Sequence, residues 1–214
     1  MTGRLGSVPV PAAWNLDSAV LRAQVLSATG RVIIGVAGVP GAGKSWVSER
    51  LVASLGEHAA LVPMDGFHLS NEHLVEEGMR DRKGAWDTFD VLGYVSLLER
   101  LRRNDEDVVF APRFDRHLEQ SIGSAVPVPH SKRIIITEGN YLLSEKGHWP
   151  RVRPLLDECW FLQVDPETQF ERLIERRLAA GEDEATGRKW VMGVDMVSTG
   201  EVLATKSGAD AYLI

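Results

Sequence analysis

Short apolar runs alternate with helically spaced apolar positions along most of the chain. Runs rich in β-branched residues predict buried strands, and apolar positions three and four residues apart predict amphipathic helices. Strands are expected at 31–37, 59–64, 108–111, 133–137, 158–164 and 210–214, and helices at 15–28, 46–56, 90–103, 165–180 and 188–197. Residues 1–13, with two glycines and two prolines, are expected to run over the surface. The alternation predicts an α/β fold with a parallel sheet of about five strands, covered by helices on both faces.

The segment after the first predicted strand carries a strong motif. Residues 38–45 fit the phosphate-binding pattern G-x-x-x-x-G-K-[ST] without a mismatch. Glycines let backbone N–H groups approach polyphosphate oxygens, and the helix that follows directs its positive end at the same anion. Lys44 is expected to reach the β- and γ-phosphates, and the Ser45 hydroxyl to ligate Mg²⁺. The candidate nucleotide-binding residues are Gly38, Gly41, Ala42, Gly43, Lys44, Ser45 and Trp46.

Composition narrows the class of protein further. The 214 residues fit one domain, with a small lid expected at about 172–190. The 24 basic and 30 acidic residues give a net charge of −6, which argues against a surface that coats nucleic acid. The single cysteine, Cys159, excludes an internal disulfide and is interpreted as a buried residue. With no apolar run of about 18 residues, no membrane segment is expected, and the cytoplasm is the predicted location.

Polar residues stand at the carboxyl ends of several predicted strands, where α/β sheets bind ligands. Asp65 could be a general base, a carboxylate that supports Mg²⁺, or only a turn aspartate. Glu138 follows an apolar strand, as expected of an acid that holds Mg²⁺, although it could instead point to solvent. Arg113 and Asp165 end two further strands. His68 could contact the phosphate acceptor or be a hydrogen-bonded structural histidine.

The helix predicted at 165–180 carries three arginines. Its inward stripe consists of Phe170, Leu173, Ile174 and Leu178. Arg177 falls within this stripe and Arg172 and Arg176 fall on its flank, so Arg177 is expected to have an anionic partner. That partner is either the transferred phosphoryl group or an internal acid. The polar break at 180–187 predicts a hinged lid.

The charged loop at 78–86 contains Arg80, Arg82 and Lys83. These side chains could receive an anionic substrate or simply face solvent, and the sequence does not decide between the two.

Four further segments, at 64–71, 83–90, 112–116 and 138–143, appear in the order typical of one known group. The chain resembles the P-loop kinases that include phosphoribulokinase, uridine kinase and bacterial pantothenate kinase, and most of all the branch of fructose-transport-system kinases. The resemblance spans about residues 30–214 and implies ATP-dependent phosphorylation of a hydroxyl on a small molecule. It implies Asp65 as the base, with Lys44 and Ser45 as the phosphate and Mg²⁺ contacts. The implied acceptor contacts are Arg113, His117 and Tyr141, which join the candidate His68, and the implied lid arginines are Arg172, Arg176 and Arg177. Arg177 is also expected to be catalytic, because the helical spacing places it on the inward stripe.

The chain differs from the pattern of this group at three places, and we expect these differences to affect substrate choice more than phosphate binding. Trp86 replaces a frequent proline, Arg177 a frequent histidine, and 197–199 lack a frequent asparagine. The branch that the chain resembles implies a sugar such as fructose as the acceptor, with pantothenate or a nucleoside as alternatives. A homodimer is one expected assembly. A nucleotide-dependent switch or ATPase is the rival from another class. The chain contains neither the Asn-Lys-x-Asp motif of GTPases nor the Leu-Ser-Gly-Gly signature of transporter ATPases.

Overall fold

The computed structural model describes residues 12–214. Eight strands occur in this range: β1 (Ala12–Trp14), β2 (Val32–Ala37), β3 (Ala59–Pro63), β4 (Val108–Asp115), β5 (Gln120–Pro129), β6 (Ile134–Gly139), β7 (Glu158–Leu162) and β8 (Ala211–Leu213). Six of them form a parallel sheet in the order β1-β8-β7-β2-β6-β3. β2 lies in the middle, and both β2 and its neighbour β6 are buried along their whole length. Their continuous β-branched sequences suit a strand that is covered on both faces.

Seven α-helices accompany these strands in the described range: α1 (Leu16–Leu26), α2 (Lys44–Leu55), α3 (Asn71–Glu76), α4 (Val91–Arg103), α5 (Pro166–Ala179), α6 (Glu184–Trp190) and α7 (Met196–Leu203). Asn15, Asp90 and Asp165 cap α1, α4 and α5 by accepting a hydrogen bond from a backbone N–H of the first turn. Asp165 therefore has a local role at its strand end. A π-helical turn, Val191–Asp195, joins α6 to α7 where one helix at 188–197 was predicted.

The predicted α/β fold with a parallel sheet flanked by helices is confirmed. The edge strand β1 was not predicted, and its Trp14 ring packs edge-on against Trp160 at 5.4 Å. Residues 1–11, most of the segment expected on the surface, lie outside the described residues. Among residues 12–214, no helix has the length and apolar character needed to cross a bilayer.

The prediction of a third parallel strand at 108–111 is wrong. These residues begin β4, which pairs antiparallel with β5 in a separate two-stranded sheet. The ribbon buries Val109, Ala111 and Val128 but leaves Phe110 half exposed. One covered face and one open face suit an antiparallel hairpin rather than a strand inside a sheet. We call residues 108–129 the hairpin.

Cys159 lies in β7 and is fully buried. Burial raises the pKa of its thiol to about 12, so the thiolate that a nucleophile requires is suppressed. The interpretation of Cys159 as a small buried residue agrees with this environment.

Candidate active site

The glycine-rich loop 38–43 connects β2 to α2 at the carboxyl edge of the sheet. Gly41 and Gly43 have φ values of 77° and 91°, in the left-handed region that favours glycine. A Cβ atom on Gly41 would lie 2.9 Å from Leu173 Cγ and 3.0 Å from the carbonyl oxygen of Gln169. The loop therefore needs glycine both for its turn and for its close packing against α5.

Lys44 begins α2 and is buried at the loop. Its Nζ donates to the carbonyl oxygen of Val39 at 2.9 Å and to Asn140 Oδ1 at 2.6 Å. Burial lowers the pKa of Lys44, and the carboxylates of Glu138 and Asp65 oppose this shift. The ammonium thus lies between the phosphate loop and the end of β6, close to both acids.

Glu138 lies near the end of β6 and is only 4% exposed. Its Oε1 accepts a hydrogen bond of 2.9 Å from the Ser45 hydroxyl. Burial, followed by the nearby Asp65 charge, raises the pKa of Glu138 to about 7, against the opposing effects of Lys44 and of this hydrogen bond. A buried carboxylate with a raised pKa beside a hydroxyl oxygen gains from a cation.

The donor set at Ser45 and Glu138 fits Mg²⁺. No group of three or more His, Cys, Asp or Glu side chains within residues 12–214 is arranged to hold a metal. Mg²⁺ commonly binds through one or two protein oxygens, with phosphate and water completing its shell. Ser45 and Glu138 supply oxygens of this kind next to the phosphate loop.

Asp65 lies in the 3₁₀ turn Met64–Phe67 directly after β3. β3 pairs with β6 so that Pro63 lies opposite Glu138. The two acids consequently end neighbouring strands, and the Asp65 charge contributes to the raised pKa of Glu138. Asp65 stays half-buried, which leaves its carboxylate accessible to an incoming hydroxyl.

His68 supports the turn that carries Asp65. Its Nδ1 lies 2.8 Å from the Asp65 carbonyl oxygen. The centre of its ring lies 4.1 Å from that of Phe89 and 4.8 Å from that of Phe114. Burial lowers the pKa of His68, so the neutral imidazole is favoured. These contacts match the structural alternative for His68, and its predicted contact with the acceptor stays a prediction.

The hairpin also contributes residues near Asp65. Phe114 contacts His68, so the alternation of strand side chains directs Arg113 to the opposite face, where it is exposed. Arg116 reaches the site instead, with its Nη2 atom 3.8 Å from Asp65 Oδ2. His117 is exposed, and its backbone N–H donates to Asp115. The predicted acceptor roles of Arg113 and His117 stay predictions.

Arg116 is the residue that the sequence analysis missed. It lies in the segment 112–116 that carried the family resemblance, but nothing in the local pattern distinguished it from Arg113. The signal that could have found it is Asp115, a turn-forming residue that accepts from the backbone N–H groups of His117 and Leu118. Arg116 lies within this turn, which directs it toward Asp65.

Lys83, for which the sequence left open a role in substrate binding or a place in solvent, is buried and hydrogen-bonded within the protein. Its Nζ donates to Asn71 Oδ1 at 2.7 Å and to the carbonyl oxygen of Glu119 at 2.6 Å, and it lies 5.0 Å from the Phe114 ring centre. It therefore ties α3 to the tip of the hairpin. Arg82 instead forms a bidentate pair with Asp87.

Tyr141 was expected to contact the acceptor, but its hydroxyl is engaged within the protein. It lies 2.8 Å from the Gly84 carbonyl oxygen and 3.0 Å from Ser198 Oγ, and the residue is 2% exposed. A direct contact between Tyr141 and the acceptor stays a prediction. Trp46, in contrast, is 60% exposed on the first turn of α2, where Arg50 stacks over it.

The three lid arginines on α5 have different partners. Arg172 donates to the carbonyl oxygen of Ala42 in the phosphate loop at 3.2 Å, and Arg176 pairs with Asp195 at 3.1 Å. Arg177 pairs with both oxygens of Glu182 and stacks over Trp190 at 4.5 Å. The internal ion pair that was the alternative for Arg177 is therefore present, and its catalytic role stays a prediction. The assignment of Leu178 to the inward stripe is wrong, since it is 44% exposed.

A tight contact fixes the hairpin against the turn of Asp65. A Cβ atom on Gly66 would lie 2.5 Å from the carbonyl oxygen of Pro112, a backbone atom that cannot rotate away. We expect Gly66→Ala to lower stability by about 1–3 kcal/mol and to reduce phosphoryl transfer, because the hairpin must move away from Asp65. Thermal melting and turnover measure the two effects. Gly123→Ala, which meets open space on the same hairpin, is the control, and equal melting temperatures for the two variants would contradict the argument.

Comparisons with known proteins show the family of the chain, although no family model matches it. A "Putative uridine kinase" of Schizosaccharomyces pombe is 33% identical over 195 residues, which cover 85% of this chain and 83% of the relative. The "ATP-dependent kinase-like protein notR'" of Aspergillus versicolor is 32% identical over 154 residues, 67% of this chain and 88% of the relative.

Solved structures give the same result. The crystal structure of a "putative fructose transport system kinase" from Silicibacter sp. has a TM-score of 0.83 and 32% identity, and covers 92% of this chain and 98% of its own. YFH7 from Saccharomyces cerevisiae, at 18% identity and a TM-score of 0.82, shows the same fold. The chain therefore belongs to the P-loop kinase family that includes these uridine kinase-like and ATP-dependent kinase-like proteins.

Proposed function

We propose that this protein is an ATP-dependent kinase that transfers the γ-phosphoryl group to a hydroxyl of a small molecule. The observation that supports the proposal is that Lys44, Ser45, Glu138 and Asp65 lie near one another at the carboxyl edge of the sheet. A switch or simple ATPase has no need of a half-buried carboxylate such as Asp65 beside the phosphate site. An acceptor hydroxyl needs one, because its proton must leave during transfer.

In this mechanism Asp65 accepts the proton of the acceptor hydroxyl, and the guanidinium of Arg116 lies beside the Asp65 carboxylate. Lys44 neutralises charge on the transferred group, and the backbone N–H groups of the phosphate loop hold the polyphosphate. Ser45 and Glu138 would hold Mg²⁺, which supplies charge neutralisation on the β- and γ-phosphates when bound. Closure of the lid, residues 172–190, would exclude water and bring the lid arginines to the phosphates.

We propose a sugar such as fructose as the acceptor. This is supported by the solved structure of the 32% identical "putative fructose transport system kinase", which matches over nearly its full length. A nucleoside is the second candidate, favoured by the name of the S. pombe relative. The two candidates differ in shape, and the rings of His68, Phe89 and Phe114 pack together next to the turn that carries Asp65.

The test is ADP release with Mg·ATP and single acceptors from a panel of fructose, other hexoses, uridine and pantothenate. We expect one acceptor class to raise ADP release at least tenfold and to yield a phosphorylated product by mass spectrometry. ADP release that no acceptor changes would favour the ATPase alternative. ADP release raised by uridine alone would replace the sugar with the nucleoside while retaining the kinase.

The cellular setting completes the proposal. A chain with one cysteine and an ATP-dependent reaction fits a reducing compartment such as the cytoplasm. The net charge of −6 supports a small-molecule substrate rather than a nucleic acid. We also propose that the protein forms a homodimer, and a measurement of its molar mass by light scattering tests this assembly.

A further inference from the structure

Asp195, at the end of the π-helical turn, is a buried carboxylate with one oxygen unused. The residue is 6% exposed. Its Oδ1 accepts a hydrogen bond from Arg176 at 3.1 Å, while Oδ2 has no hydrogen-bond partner among the described residues. Burial of a carboxylate is costly unless a cation compensates, and π-helical turns are frequent at functional sites. Packing alone therefore does not explain why a carboxylate occupies position 195.

The partner of Asp195, Arg176, keeps most of its hydrogen-bond donors available for a phosphate. Arg172 is bonded to the phosphate loop itself, and Arg177 is held by Glu182 and Trp190. Arg176 is anchored through one nitrogen only, and its side chain is 44% exposed. A guanidinium has five N–H donors, so most of them stay available.

The geometry of α5 shows which side of the helix carries Arg176. Arg172 lies one helical turn before Arg176 on α5, and residues four apart share a face of a helix. Arg172 donates to the carbonyl oxygen of Ala42 in the phosphate loop at 3.2 Å. Arg176 therefore lies on the face of α5 that is turned toward this loop.

A chain of hydrogen bonds fixes Asp195 relative to that loop. Thr199 Oγ1 donates to the carbonyl oxygen of Asp195 at 2.9 Å. Gln169 Nε2 donates to Thr199 Oγ1 at 2.7 Å and to the carbonyl oxygen of Pro40 at 2.9 Å. Gln169 and Thr199 are both buried, so these bonds are protected from water. The turn that carries Asp195 is therefore tied to the phosphate loop through two side chains.

We propose that Asp195 is a positioning residue that holds Arg176 toward the terminal phosphate of the bound triphosphate. The proposal rests on the proposed function, because it assumes that the loop binds ATP. It assigns the phosphate-facing role to Arg176 among the three lid arginines, and it gives the π-helical turn the task of setting the position of that arginine.

The test compares the binding of Mg·AMP-PNP and Mg·ADP by calorimetry, which requires no acceptor. We expect Arg176→Ala and Asp195→Asn each to weaken AMP-PNP binding about tenfold and to change ADP binding less than threefold. The double variant is expected to bind AMP-PNP no more weakly than Arg176→Ala alone, because Asp195 acts through Arg176. Glu201→Gln, which breaks the surface pair of Glu201 with Lys146 outside the lid, is the matched control and should bind both nucleotides as the unaltered protein does.

Several results would overturn the proposal. Equal weakening of both nucleotides by Asp195→Asn would indicate a merely structural role, and additive losses in the double variant would show that the two residues act independently. If Asp195→Asn does not fold, Thr199→Val tests the same anchoring, and an unchanged preference for AMP-PNP would refute it. A selective loss in a protein that phosphorylates no acceptor would uphold this inference and refute the proposed kinase.

Discussion

Asp65→Asn is expected to abolish phosphoryl transfer while nucleotide binding stays intact. Asparagine has nearly the same shape as aspartate but cannot accept the proton of the acceptor hydroxyl, and general bases contribute about 100-fold to 10,000-fold to rate. Asp65 is not bonded to the phosphate loop, so the affinity for Mg·ATP should change less than about threefold. Turnover with the best acceptor and calorimetric binding of Mg·AMP-PNP measure the two quantities.

Asp107→Asn is the matched control for this change, because Asp107 is an exposed aspartate that precedes the hairpin. It should leave turnover within about twofold of the unaltered protein, as surface substitutions usually do. Transfer by the Asp65→Asn variant at more than a tenth of the normal rate would remove Asp65 as the base. Glu138 would then be the remaining acid in the cleft able to accept the proton.

Lys44→Ala is expected to weaken Mg·ATP binding by about 2 kcal/mol or more, roughly 30-fold, because hydrogen bonds to a charged partner contribute about 1.5–3 kcal/mol. The same change should not lower the melting temperature of the protein without nucleotide. Burial lowers the pKa of Lys44, which means that the folded state holds this ammonium at a cost. Calorimetry and thermal melting test the two expectations together.

Lys132→Ala is the control for Lys44→Ala, because Lys132 also donates to a backbone carbonyl oxygen, that of Glu57. Lys132 precedes β6 and so lies at the amino ends of the strands, away from the phosphate loop. Its binding of Mg·ATP should be unchanged. If Lys44→Ala binds ATP normally, or if it melts at a much lower temperature, the interpretation of Lys44 as a phosphate ligand rather than a structural residue is wrong.

The sequence predicted the features that depend on contiguous residues. The phosphate loop needs a strand, a glycine-rich turn and a helix in immediate succession, and all three signals lie within residues 31–56. Asp65 and Glu138 could be paired because parallel strands end at one edge, and β3 and β6 are indeed neighbours. Caps at Asp90 and Asp165 depend on backbone groups only three residues away.

The features that escaped prediction depend on contacts between distant residues or on the direction of a turn. Val108–Asp115 has enough apolar residues for a buried strand, and only its pairing with β5 shows that it belongs to the hairpin. The helical spacing of α5 placed Arg177 on a side where it finds an anionic partner. Whether that partner is a phosphate or Glu182 depends on the path that residues 180–183 take after the helix. Arg116 reaches Asp65 only because the hairpin turns at Asp115.

The hairpin forms a two-stranded sheet of its own, separate from the six-stranded sheet, and it brings Phe114 against His68 and Arg116 beside Asp65. The phosphate loop, in contrast, follows a strand of the six-stranded sheet. Under the proposed function, substitutions in the hairpin would therefore alter the surroundings of the base without replacing any residue that holds the polyphosphate.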